Sequence, residues 1–217
     1  MLRKMSSLFE CTIQTKDGEN LGKVDDLYFD STDWTIPYVV VNLDAWLFGR
    51  RVLISTLALD KSRWDYTVLT VALTKAEVKD SPHIDLTRPV TRMQASELYR
   101  YYDWPSDSNP RLTTAVGLSV AGVGSSLPEL SSADIPRVVI DAPEKTEASH
   151  VHSAHKVLND TIEASDRTSG RVADLILDDE AWVIRYLLVN TGNWRSGKKV
   201  LLSPRWVKQI DWSKSQI

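Results

Sequence analysis

The sequence predicts a mainly β protein made of two small β-barrels, with a few short helices and a flexible linker between the barrels. Three observations carry that prediction. The stretch GKVDDLYFDSTDWTIPYVVVNLDAWLFGRRVLIS at 22–55 returns as GRVADLILDDEAWVIRYLLVNTGNWRSGKKVLLS at 170–203, at a constant offset of 148 with no gap. Within each copy the segments are short, rich in β-branched and aromatic residues and punctuated by turn signals, which argues against βαβ units. Overall, 42% hydrophobic and 25% charged residues in 217 are ordinary for a globular chain and enough for two small cores.

In chain order, the first copy predicts strands at about 11–15, 21–30, 35–44, 50–55, 58–63 and 66–72. KDGEN precedes the second strand, STDW the third and LFGR the fourth, where glycine supplies the positive φ of a tight reversal. The third strand is apolar on both faces, with Ile36, Tyr38, Val40 and Asn42 on one and Val39 and Val41 on the other. Such a strand is central, so its outer face needs a cover.

Two predicted helices supply that cover. LTKAEVKDSP carries a Thr74 to Glu77 capping box and stops before Pro82, while TRMQASELYRYYDWP carries a Thr91 to Gln94 box with Met93, Leu98, Tyr101 and Tyr102 at helical spacing. The aromatic stripe reads as packing surface rather than as a cofactor site.

The predicted organisation is a first barrel at 1–82, a helical extension at 83–102, a flexible linker at 103–149 and a second barrel at 150–217. The linker is rich in Ser, Ala, Pro and Gly and buries too little apolar surface to offset its ordering entropy. One short apolar piece in it, PRVVI at 136–140, reads as an extra strand. The offset sets Ser215, Gln216 and Ile217 on Thr67, Val68 and Leu69, so the second barrel is expected to lack most of its last strand. An open edge then has three outcomes: pairing with PRVVI, strand exchange in a homo-oligomer, or a shortened and less stable barrel.

Charge narrows the function classes. The net charge is -3, with 13 basic and 14 acidic residues at 1–102, 3 and 7 at 103–152, and 10 and 8 at 153–217. The chain as a whole lacks the positive field of an obvious nucleic-acid binder, and only its last third is mildly basic. No segment approaches the roughly 20 apolar residues of a membrane span, no signal-peptide core stands at the N-terminus, and Cys11 is the only cysteine. The expectation is a cytoplasmic protein with no direct membrane insertion.

Candidate chemistry is sparse. His150, His152 and His155 lie close together in HVHSAH and are weak candidates for a metal site, with no cysteine nearby, so no metal is expected. The acidic groups Asp25, Asp26, Asp30, Asp33 and Asp174, Asp178, Asp179, Glu180 lack the loop spacing of a calcium site and read as backbone caps at turns. No nucleophile with a partner base and no phosphate loop is present, so neither enzymatic activity nor a cofactor is expected. The candidate partner-binding residues are Trp46, Arg50 and Arg51 in AWLFGRR and their counterparts Trp194, Lys198 and Lys199 in NWRSGKK. A tryptophan beside two cations suits an interface hot spot or a phosphate contact, and equally a barrel end cap followed by a solvated strand start.

The repeated order Gly-Lys/Arg-Val, Asp-Leu, Asp, Trp, Ile-x-Tyr, Val-Asn, Gly-basic-basic-Val-Leu, Ser resembles the PRC-barrel family. That barrel occurs in the cytoplasmic domain of the photosynthetic reaction centre H subunit and at the C-terminus of a ribosome maturation factor. The chain looks like the bacterial subgroup with two such barrels, and ELYRYYDWP and SPRWVKQIDW resemble segments of that subgroup. The resemblance implies a non-enzymatic protein-interaction or scaffold module that docks a protein partner through two barrels. The alternative is a ribosome- or RNA-associated maturation factor, disfavoured by the overall negative charge.

Overall fold

The computed structural model describes residues 1–9, 11–43, 50–60, 67–86, 89–104, 150–164, 167–191 and 198–217. The predicted linker, including PRVVI, therefore lies outside the described residues save for its first two, Asp103 and Trp104. The fold is mainly β, as the alternation predicts.

The first half contributes strands β1 (Leu2–Lys4), β2 (Thr12–Thr15), β3 (Asn20–Asp30), β4 (Tyr38–Leu43), β5 (Arg50–Ser55) and β6 (Val68–Val71), and helices α1 (Lys75–Lys79) and α2 (Arg92–Tyr101). The second half contributes β7 (Val151–Ser153), β8 (Thr161–Ala164), β9 (Arg167–Asp178), β10 (Val183–Thr191) and β11 (Lys198–Leu202). Strands β2 to β5 run as an antiparallel meander with β6 returning parallel to β2, which curls the sheet. The second half repeats the meander from β8 to β11. Ser215–Ile217 lie along β8 as β6 lies along β2: Thr161 N donates to Ser215 O at 3.0 Å, and Thr12 N to Thr67 O at 2.9 Å. The 148 offset thus gives the right register for these residues.

The segment predicted as a strand at 58–63 differs. Thr56–Ala58 form a 3₁₀ turn and Leu59 makes one isolated bridge to Val71, because Ser55 accepts the Leu57 amide and bends the chain out of β5. Residues 61–63 lie outside the described part.

The two halves are joined by an exchange of their first strands. β1 pairs with β9 of the second half, and β7 pairs with β3 of the first. This is why β3 and β9 are long, at 11 and 12 residues: each serves one neighbour on one side, over Lys23–Tyr28 and Arg171–Asp178, and two on the other. The exchange continues into the turns. Ile36 N donates to Trp182 O at 2.7 Å, and Ile184 N to Trp34 O at 2.8 Å. Both tryptophans take a left-handed backbone, φ 64° and 51°, which costs of order 1–3 kcal/mol and aims each carbonyl at the other half.

One apolar core runs through both halves, from Met5, Leu8, Leu27 and Phe29 to Ile162, Leu175, Leu177 and Leu187, all buried. Residues 1–104 and 149–217 accordingly form one compact unit. No helix among the described residues is long and apolar enough to cross a membrane.

Both capping boxes are present, Thr74 with Glu77 on α1 and Thr91 with Gln94 on α2. Helix α2 covers the outer face of β4 as the two-sided apolar pattern requires: Leu98 packs with Tyr28, Tyr38, Val40, Leu53, Ile84 and Val90, flanked by Tyr99 and Tyr102. The predicted stripe is correct at Leu98 and Tyr102 but not at Met93, which is exposed, or at Tyr101, whose hydroxyl reaches the Glu77 carbonyl at the surface. The buried positions are spaced as Ala95, Leu98, Tyr99 and Tyr102, a stripe rotated from the predicted one.

Candidate interaction surface

The basic pairs start β5 and β11, and the structure treats their members differently. Arg50 turns inward, where its guanidinium donates to the Lys79 carbonyl at 2.6 Å and to the Ser81 carbonyl, tying the end of α1 to the sheet. Arg51 is exposed and pairs with Asp25 at 3.1 Å. Lys198 and Lys199 are exposed, with Lys199 opposite Asn190 across the ladder. Trp46 and Trp194 lie outside the described residues.

The three histidines are drawn to separate partners. His152 stacks on Trp212 with ring centroids 3.8 Å apart, and His155 stacks on Phe9 at 4.2 Å while its Nε2 lies 3.0 Å from the Asp25 carbonyl. The His150 carbonyl accepts the Ser31 amide. Burial, with Lys156 and His150 nearby, pulls the His152 pKa down to about 4. Among the described residues no group of His, Cys, Asp and Glu is arranged to hold a metal.

The acidic groups take several roles: Asp25 pairs with Arg51, and Asp179, expected as a turn cap, is buried and pairs with Arg3 of β1 and with the N-terminal amine. Asp30, Asp33 and Asp178 cap turns, accepting the amides of Thr32, Thr35 and Glu180. Asp26 and Asp174 are buried and hold the exchanged segments, a role their spacing does not announce. Asp26 accepts the Ser153 hydroxyl and the His155 amide, and Asp174 accepts the Ser6 hydroxyl and amide. Burial pushes the Asp26 carboxyl upward, against the Ser153 hydrogen bond and the neighbouring His155.

The halves differ most in what they leave exposed. On the first half's outer face, cover by α2 and the segment before it leaves Tyr38 and Leu53 3% and 2% exposed, and burial raises the Tyr38 phenol. Tyr28 there donates to the Leu86 carbonyl, and its pKa is pushed up to about 12. The 148 counterparts Tyr186 and Leu201 are 37% and 54% exposed. Val200 is 39% exposed where Val52 is 3%, and Trp206 is 73% exposed where the repeat has buried Ala58.

Trp206 ends the 3₁₀ turn Pro204–Trp206 and overhangs a cleft of about 570 Å³ lined by Ile162, Leu202, Val207, Lys208 and Lys214. A second cleft of about 560 Å³ follows the seam between the halves, past Trp34, Ile184, Arg185 and Trp212. Trp206 and Leu201 are the surface residues the sequence reading missed. For Trp206 a signal existed, since the offset sets a tryptophan on an alanine. For Leu201 none did, since both copies carry leucine.

The comparison with curated proteins gives no match. The family description PRC-barrel domain matches residues 3–74, from β1 of the first half to the N-cap of α1. That match covers the curled sheet of β2 to β6 together with its strand-exchange turn, so residues 3–74 are what the chain shares with the PRC-barrel domain family.

Proposed function

We propose that the protein is a non-enzymatic docking module that binds another protein through its second half. The observation that carries this reading is the exposure of Tyr186, Val200, Leu201 and Trp206, apolar residues at positions where the first half buries Tyr38, Val52, Leu53 and Ala58. Tyr186 and Leu201 share the outer face of the sheet while Val200 points to the other, and exposed apolar surface of this extent is the usual mark of a protein contact. The PRC-barrel family, as one of protein-interaction modules, supports the same reading. Because the halves share one core, they work as one docking body and not as two tethered barrels.

A second reading, association with ribosomal or other RNA, draws on the exposed cations Lys198, Lys199 and Arg205 and on the exposed Trp206, residue types suited to phosphate and base contacts. Salt separates the two, because phosphate contacts weaken steeply as salt rises and apolar docking does not. Density-gradient fractionation of host lysate at low and high salt, followed by immunoblot, is the test. Docking predicts a complex that persists at high salt; migration with ribosomal particles that is lost at high salt overturns it.

A further inference from the structure

The two outer sheet faces have corresponding residues and different cover. In the first half, Tyr28, Tyr38, Val40 and Leu53 are buried under α2 and the segment leading to it. Their counterparts are Ile176, Tyr186, Leu188 and Leu201. Ladder pairing puts these four on one face: Tyr186 lies opposite Ile176, and Leu188 lies opposite Leu201. Leu201 and Tyr186 are exposed, and Ile176 and Leu188 are half-buried. The same face that holds a helix in one half therefore has no such cover among the described residues in the other.

The rim of that bare face is basic. Lys4 lies opposite Ile176, and Arg171 and Lys199 both lie opposite Asn190, so all three share the face with Leu188 and Leu201. All three are exposed. The acidic groups of this face are already engaged: Asp174 holds Ser6, and Asp178 pairs with Arg185 at 2.9 Å. Two copies meeting face to face would bring these cations against their own images, which disfavours a second copy as the occupant.

We propose that the face formed by Ile176, Tyr186, Leu188 and Leu201 receives an amphipathic helix of a partner protein, with an apolar stripe spaced like that of α2 and acidic side chains flanking it. The proposal rests on the docking reading above and gives that reading a site and a ligand chemistry. The stripe of α2, Ala95, Leu98, Tyr99 and Tyr102, shows the i, i+3, i+4, i+7 spacing such a helix presents to a groove. The acidic flanks would meet Lys4, Arg171 and Lys199 and fix which way the helix lies.

The test uses the full chain and two synthetic peptides covering 89–104, one carrying Ser96→Glu and Tyr101→Glu, the other Ser96→Lys and Tyr101→Lys, which leave the Thr91 to Gln94 capping box intact in both. Both positions flank the stripe, and the protein's own α2 keeps the first-half face occupied. Fluorescence anisotropy is expected to show the acidic peptide binding at least tenfold tighter than the basic one. Leu201→Asp is expected to weaken it a further tenfold or more, and Leu57→Asp, at an exposed leucine elsewhere, to leave it unchanged. Leu201→Ser serves as the milder variant should the aspartate perturb folding, which circular dichroism reports.

Failure of both peptides to bind, equal binding of the two, or indifference to Leu201 overturns the proposal. So does a dimer on gel filtration that Leu201→Asp dissolves, which assigns the face to a second copy. Absent peptide binding with a salt-resistant complex still present on the gradient discards this face and leaves the docking reading intact; loss of both removes the docking reading.

Discussion

Glycine at 22 and 170 explains at the scale of one residue why the repeat preserves what it does. Each has a left-handed φ, 143° and 151°, and a Cβ on Gly22 would stand 2.0 Å from the Asn42 carbonyl oxygen, on Gly170 2.3 Å from that of Asn190. Glycine and its neighbouring asparagine are kept together because the backbones touch there. Gly22→Ala and Gly170→Ala should each destabilise by more than the about 1 kcal/mol of an unfavourable backbone alone, since the clash is with backbone that cannot swing aside. Urea melts of the two variants measure it.

His152 sets a pH dependence. Its folded pKa of about 4 lies below the value near 6.5 of an unfolded histidine, so the unfolded state binds more protons between these values. Stability from this group is complete above pH 6.5 and is lost as pH falls toward 4. Asp26, pushed up by burial, acts in the opposite direction, so the comparison that isolates the histidine is with His152→Phe, which keeps the stack on Trp212. In that variant the decline of the urea midpoint between pH 6.5 and 4 should flatten.

At the scale of elements, α2 is the piece that makes the two halves unlike. Leu98 is its deepest side chain, 1% exposed against Tyr38 and Val40. Leu98→Ala should cost about 2–5 kcal/mol, the range for truncating a buried leucine, and should expose tyrosine fluorescence to quenchers. Both helices were legible because capping boxes are local chemistry, written within four residues. The meander was legible because a strand half buried alternates and a central one does not. The exchanged strands β1 and β7 were not. Three residues are too few to display a period, and the partner of Leu2 is Asp178, far along the chain. The bare second face was equally hidden, since Leu53 and Leu201 are the same residue in copies of the same strand. Among the described residues a helix covers Leu53 and none covers Leu201.

At the scale of the whole molecule, duplication has produced one body with an approximate twofold relation broken at its surface. Reciprocal pairs carry the relation: β1 on β9 and β7 on β3, Ser6 on Asp174 and Ser153 on Asp26, Ile36 on Trp182 and Ile184 on Trp34. Each exchanged segment completes the sheet of the other half, so neither half keeps its edge covered or its core closed without its partner. The functional proposal depends on this, because a face held open on a body that cannot come apart is a fixed docking surface. Urea unfolding of Leu27→Ala and Leu175→Ala, corresponding fully buried leucines of the two halves, tests it most directly. Interlocked halves predict one cooperative transition whose midpoint falls in both variants, with fluorescence and circular dichroism coincident. A curve that splits in two, with each substitution moving only its own phase, would contradict the account.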